Sequence, residues 1–107
     1  MFVIAATIVR WVDDHQPGIV ECKFPDRFGQ DWFFHEKLPI VSVEPLDRQS
    51  AYPRPCAIAC QVIARGRDGQ GREIAEVDTE APWGISSVDG ASRFHVLVDQ
   101  LTELDGR

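Results

Sequence analysis

The heptad Gly66-Arg67-Asp68-Gly69-Gln70-Gly71-Arg72 separates two apolar runs, Cys56–Ala64 and Glu73–Val77. Three glycines in so short a stretch supply the positive-φ positions that a strand reversal needs. On either side, apolar residues recur at every second position. Cys56, Ile58, Cys60, Val62 and Ala64 share one parity before the turn, and Ala75 and Val77 share one after it. A period of two puts such residues on one face of an extended chain, whereas a helix needs a period of about 3.6. The segment therefore reads as a β-hairpin, with Ile74 as an apolar exception on its outer face.

The same grammar runs through the rest of the chain. Val20, Cys22 and Phe24 alternate with Glu21 and Lys23. Pro25-Asp26-Arg27-Phe28-Gly29-Gln30 reverses direction, and Trp32, Phe34 and Leu38 then oppose Phe33, His35 and Lys37. This predicts a hairpin of residues 19–24 with 31–38. Pro39 ends or edges that strand, and Ile40–Val43 continues it after a bend. Residues 2–12 are apolar on both parities, which predicts a long strand partly covered on both sides, or one that bends. Asp13-Asp14-His15-Gln16-Pro17-Gly18 then breaks it. Residues 44–55 hold three of the seven prolines and read as an irregular loop inside one domain, since neither flank is long enough to fold alone. Turn signals at 79–84 and at Asp89-Gly90 precede a last strand carrying Phe94, Val96 and Val98. Asp99 then caps a short helix that returns Leu101 and Leu104 to the core.

Short strands with turn signals every ten or so residues predict a mainly all-β fold. The expected architecture is a small antiparallel barrel of five to six strands, or a strongly bent sheet, with a short C-terminal helix. It is expected to form a single domain over residues 1–107. With 44% apolar and 26% charged residues, the chain has the balance of an ordinary globular domain.

Charge and cysteine usage narrow the classes of function. The net charge is −6, which repels phosphate backbones and disfavours non-specific nucleic-acid binding. Arg65, Arg67 and Arg72 crowd the glycine turn, but Asp68 and Glu73 sit among them. The apolar start, Met1–Val9, lacks a basic flank and a cleavage site, so it reads as a strand and not as a signal peptide. It is too short to span a bilayer. Three cysteines give no closed disulfide framework, and all fall in strand-like runs. These features point to a cytoplasmic protein with no membrane association.

No motif specifies chemistry. Cys56 and Cys60, four apart on a strand, stand about 13 Å from one another at ~3.3 Å per residue, too far to share a metal ion. No metal or cofactor is expected. The glycine turn lacks the Gly-Lys-Ser/Thr ending of a phosphate loop and leads into a strand. Asp13-Asp14-His15 gathers two carboxylates and an imidazole, yet consecutive residues rarely converge on one point. His35 falls on the Phe33 face, opposite Trp32 and Phe34, and His95 lies opposite Phe94 and Val96. The segment Pro82-Trp83-Gly84-Ile85 is the one to watch. A tryptophan in a turn-rich stretch acts either as a lid over a core or as a binding anchor, since tryptophan is enriched at interface hot spots. Trp11, at the end of the first strand, is open to both readings.

The run Trp11–Cys22, then Glu36-Lys37-Leu38-Pro39, Asp78-Thr79 and Trp83-Gly84-Ile85-Ser86-Ser87, resembles a group of short bacterial proteins with no assigned activity. The resemblance implies a small cytosolic β protein and carries no site residue with it. The leading expectation is a non-enzymatic protein-binding module using Trp83, Trp11, Asp13, Asp14 and His35. One alternative is an oligonucleotide-binding small barrel using Phe33, His35 and Lys37. Another is a small enzyme using Asp13, Asp14, His35 or His95. An uncovered edge strand would also let two copies pair.

Overall fold

The computed structural model describes residues 1–104. Seven strands form an antiparallel sheet: β1 (Phe2–Asp13), β2 (Ile19–Pro25), β3 (Asp31–Lys37), β4 (Arg54–Arg67), β5 (Glu73–Asp78), β6 (Arg93–Leu97) and β7 (Leu101–Glu103). Their spatial order is β3-β2-β1-β4-β5-β6, with β7 pairing β1 beside β2's end of the sheet. The sheet curls into a half-barrel around one apolar core.

Pairing follows the sequence alternation. Ile4, Ala6 and Ile8 of β1 face inward, opposite Ile58, Cys56 and Arg54 of β4. Irregularities between Ile8 and Arg10, and again between Trp11 and Asp13, bend β1 as it passes from β4 to β2. The β2–β3 hairpin runs in unbroken register from Ile19↔Lys37 to Pro25↔Asp31. Val20, Cys22, Phe24 and Phe34 are its buried residues. The glycine heptad joins β4 to β5, where Ala75 and Val77 are buried. Gly71 takes the positive φ that the reversal needs, at 80°. Asp68 organises the tip, its carboxylate accepting from the N–H groups of Gln70 and Arg72 and from Arg72 Nε.

The two ends of the sheet do not zip together by a full ladder. Phe24, Phe34, Phe94 and Trp32 fill the gap, with ring centroids 5.1–5.7 Å apart. Two main-chain bonds tie the ends: Arg27 N–H to His95 O at 2.8 Å, and Val88 N–H to Phe33 O at 2.9 Å. Aromatic packing therefore closes the half-barrel where backbone pairing does not.

Two short segments depart from the sequence reading. Leu38–Val41 is not a strand continuation but one helical turn, α1, closed by Ser42 N–H to Leu38 O at 3.0 Å. Pro39 sits in its first turn, where a proline costs no hydrogen bond, and Leu38 and Val41, three apart, both turn into the core. At the C-terminal end, the helix is a single 3₁₀ turn, Val98–Gln100, with Leu97 and not Asp99 at its cap. Gln100 accepts from Leu97 N–H at 2.8 Å and donates to Pro25 O at 2.7 Å. The chain then extends as β7. Leu101 packs on the core, while Leu104 is exposed.

Candidate functional site

The loop between β5 and β6 is built from a buried threonine outward. Thr79 is fully buried, and its N–H donates to Ser92 O while its hydroxyl donates to Ile85 O at 2.6 Å. Ile85, also fully buried, returns a bond from its N–H to Thr79 O. Between these anchors the chain makes a tight turn, closed by Gly84 N–H to Glu80 O at 2.7 Å, with Gly84 at φ 66°. Trp83 rides on that turn with half its surface in solvent (51%). A large aromatic side chain on a hydrogen-bonded, core-anchored turn is held out, not merely left over.

Trp83 stands over an open groove of about 390 Å³. Val3, Ala57 and Ala59 lie along β1 and β4, α1 and Val43 form one wall, and Met1 and Leu104 form another part of the rim. Val43, Met1 and Leu104 are all exposed. A second recess of about 560 Å³, lined by Phe2, Cys60, Val62 and Pro82 among others, shares Met1 with the first. The groove's few polar side chains are already engaged. Ser42 Oγ accepts from Glu44 N–H, and Glu44 accepts from Arg54 Nη1 at 2.9 Å. A contiguous apolar surface of this kind marks an interaction site more often than a reaction centre, which needs convergent polar groups.

The other candidate residues lie in separate networks. Trp11 packs against the core, and its indole N–H donates to Asp14 Oδ1 at 2.7 Å. A side chain at Gly18 would overlap the Trp11 ring, so glycine is required there both for space and for its φ of 104°. Arg48 clasps Asp14 through Nε and Nη2, which ties the β1–β2 turn to the proline-rich loop. This clasp, with the Trp11 bond, holds the Asp14 carboxyl below its ordinary pKa. Asp13 accepts from His15 N–H. Trp11, Asp13 and Asp14 are thus brought together, but none of the described hydrogen bonds or aromatic contacts joins them to Trp83 or His35.

His35 lies on the outer face of β3, where Nε2 meets Glu21 Oε2 at 2.9 Å. Arg10 reaches the same carboxylate from β1 at 3.0 Å. His35 first, then Arg10, lowers the Glu21 pKa. On the same face Lys23 pairs with Asp31. His95, on β6, sits against Phe28. Among the described residues, no three His, Cys, Asp or Glu side chains stand close enough to hold a metal ion. Burial pushes the Cys60 thiol up to about 11, and contact with Cys56, followed by burial, raises Cys22. Both therefore stay protonated at neutral pH and poor as nucleophiles.

Sequence reasoning singled out Trp83 but not the groove beneath it. Val3, Ala57, Ala59 and α1 come from three separate stretches, and no local pattern links them. Compared with known proteins, the chain matches no family model, no curated protein and no solved structure. No helix among the described residues is long and apolar enough to cross a membrane.

Proposed function

We propose that this protein is a non-enzymatic binding module of the bacterial cytoplasm that recognises another protein through the groove beneath Trp83. One observation carries the reading: a half-exposed tryptophan sits on a hydrogen-bonded turn over a groove lined almost wholly by apolar side chains. Tryptophan in such a setting supplies large contact area at low entropic cost, which is why it dominates interface energetics. The unpaired state of Cys22, Cys56 and Cys60 supports a reducing compartment. The alternatives have less to rest on. On the β1–β3 face that would meet a nucleic acid, Lys23 is matched by Asp31 and Arg10 by Glu21, which leaves Lys37 as the basic side chain there without an ion pair among the described residues. Asp13, Asp14, His35 and His95 belong to different networks, so no acid–base pair is assembled from them.

The test is capture of a stoichiometric partner from the native host, followed by affinity measurement with both proteins purified. Trp83→Ala should weaken binding by about thirtyfold, as loss of a hot-spot anchor worth ~2 kcal/mol does. Its thermal midpoint should fall by no more than a few degrees, so that the variant stays folded at the temperature of the assay, since half of the side chain is in solvent. Failure to recover a stoichiometric partner, or equal affinity of the variant, would reject the proposal.

A further inference from the structure

The groove contains an unused strand edge, and the hydrogen-bond alternation shows which atoms it presents. Met1 and Leu104 exchange both backbone bonds, Leu104 N–H to Met1 O at 2.7 Å and Met1 N to Leu104 O at 3.3 Å. Successive residues of a strand turn their backbone groups to opposite edges. Val3, Ala5 and Thr7 therefore turn theirs toward β7 and β2, away from β4. Their cross-strand neighbours in β4 are Ala59, Ala57 and Pro55. These must likewise turn their N–H and C=O groups away from β1, toward the far edge of β4. Pro55 agrees, because it has no N–H to lose from the β1 ladder.

On that far edge β4 is paired only in part. The ladder with β5 begins at Gln61↔Asp78 and runs toward the hairpin tip. Past Asp78 the chain leaves the sheet for the Trp83 turn. Among the described residues, no turn, loop or side-chain hydrogen bond reaches the outward N–H or C=O of Ala57 or Ala59. Ala59 is fully buried, so the edge is closed to a partner at that position. Ala57 is partly exposed and Pro55 exposed, so the edge can be reached at these two positions. Pro55, Ala57 and Ala59 are also groove residues, alongside α1 and Trp83. A strand edge and an apolar trough thus coincide.

We propose that the partner enters this groove as an extended segment that adds a strand to the Pro55–Ala57 edge of β4. This rests on the protein-binding reading above and names its mode. The added strand exchanges both backbone bonds with Ala57 and takes the Pro55 carbonyl. Its alternate side chains fill the recess between α1 and Trp83, as in strand addition generally. Small side chains at Ala57 and Ala59 leave that approach clear. Charge selects what flanks the segment. Glu80, on the Trp83 turn, and Glu103, beside Leu104, have no cationic partner among the described residues, and the whole chain carries −6. A second copy of this chain would bring like charge to like, so the occupant is an apolar segment of a different protein with basic residues at its ends.

Panning the 107-residue protein against a phage-displayed random dodecamer library tests this. Enriched peptides should show apolar residues at every second position with Lys or Arg at the ends. Single backbone N-methylation should weaken a synthetic enriched peptide about tenfold or more at one parity and leave the other unchanged. Ala57→Pro removes an edge donor without touching the β1 ladder. It should cause a similar loss with an unchanged circular dichroism spectrum and thermal midpoint. Peptides that need Trp83 but are indifferent to N-methylation and to Ala57→Pro would overturn strand addition while leaving protein binding at the groove intact. So would the absence of any enriched peptide, with partner capture then deciding the broader proposal. A protein that sediments as a dimer, and becomes monomeric on Ala57→Pro, would assign the edge to a second copy and reject the foreign segment.

Discussion

Single carboxylates set much of how this molecule should respond to acid. Asp14 is lowered by Arg48 and Trp11, and Glu21 by His35 and Arg10. Burial alone would raise Asp26 and Asp68, but bonds from Trp32 and the N–H groups of Gln30 and Phe28, and from Arg72 and Gln70, outweigh it. A carboxyl whose pKa falls on folding stabilises the fold above its ordinary value, 3.8 for Asp and 4.5 for Glu. That contribution disappears as pH drops through the lower, folded value. Glu36 runs the other way: burial raises it, so it favours the fold below its ordinary value and loses that as pH rises through the raised one. Four groups oppose one. The urea midpoint should therefore fall on acidification between about pH 5 and pH 2, and Glu36→Gln should raise it at pH 7. A midpoint that is flat or rising toward acid would contradict these assignments.

At the level of elements, the β4–β5 hairpin was the most legible part of the fold. Its glycines mark the turn and its alternation marks both strands. The role of Asp68 was not legible, because a carboxylate among arginines looks like ordinary surface. In the structure it holds the loop from within, and Arg27 stands 3.7 Å away across the tip. Arg27 Nε is already buried without a hydrogen-bond partner. Asp68→Ala would leave the Arg27 guanidinium with only the Phe28 ring, 4.2 Å away, and would remove three turn bonds. It should lower Tm by about 4–8 °C, with a larger effect than Asp89→Ala in a comparable turn, read by differential scanning calorimetry. The C-terminal segment shows the opposite case. Leu101 and Leu104 suggest a helix by their spacing, but Phe2–Ile4 offers a strand edge, and a ladder of backbone bonds outweighs one marginal helical turn.

On the scale of the whole molecule, closure depends on Phe94. It meets Phe24, Phe34 and Trp32 across the gap between the two ends of the sheet. Phe94→Ala should cost about 3–5 kcal/mol, since the cavity opens where no backbone ladder can take up the strain. Denaturation followed by tryptophan fluorescence would measure it, and a loss below ~1 kcal/mol would mean the half-barrel closes by other means. The half-barrel also explains why Trp83 matters. The sheet curls so that α1, β4 and the β5–β6 loop meet on one side, and the groove is their common boundary.

Alternation and turn chemistry determine strand and face locally, because a period of two and a positive φ are properties of neighbouring residues. They made the β2–β3 and β4–β5 hairpins, the buried parity of β2, β3, β5 and β6 and the exposure of His35 readable without coordinates, but not the inward face of β1 or the burial of Ala59 in β4. Strand order, the curl of the sheet and the unpaired edge of β4 were decided by tertiary structure. Each depends on where distant segments stop pairing: β5 at Asp78, β1 at its bends, β7 against Phe2–Ile4. A backbone group is free or bonded according to what lies across from it, and residues far apart in the chain supply that neighbour.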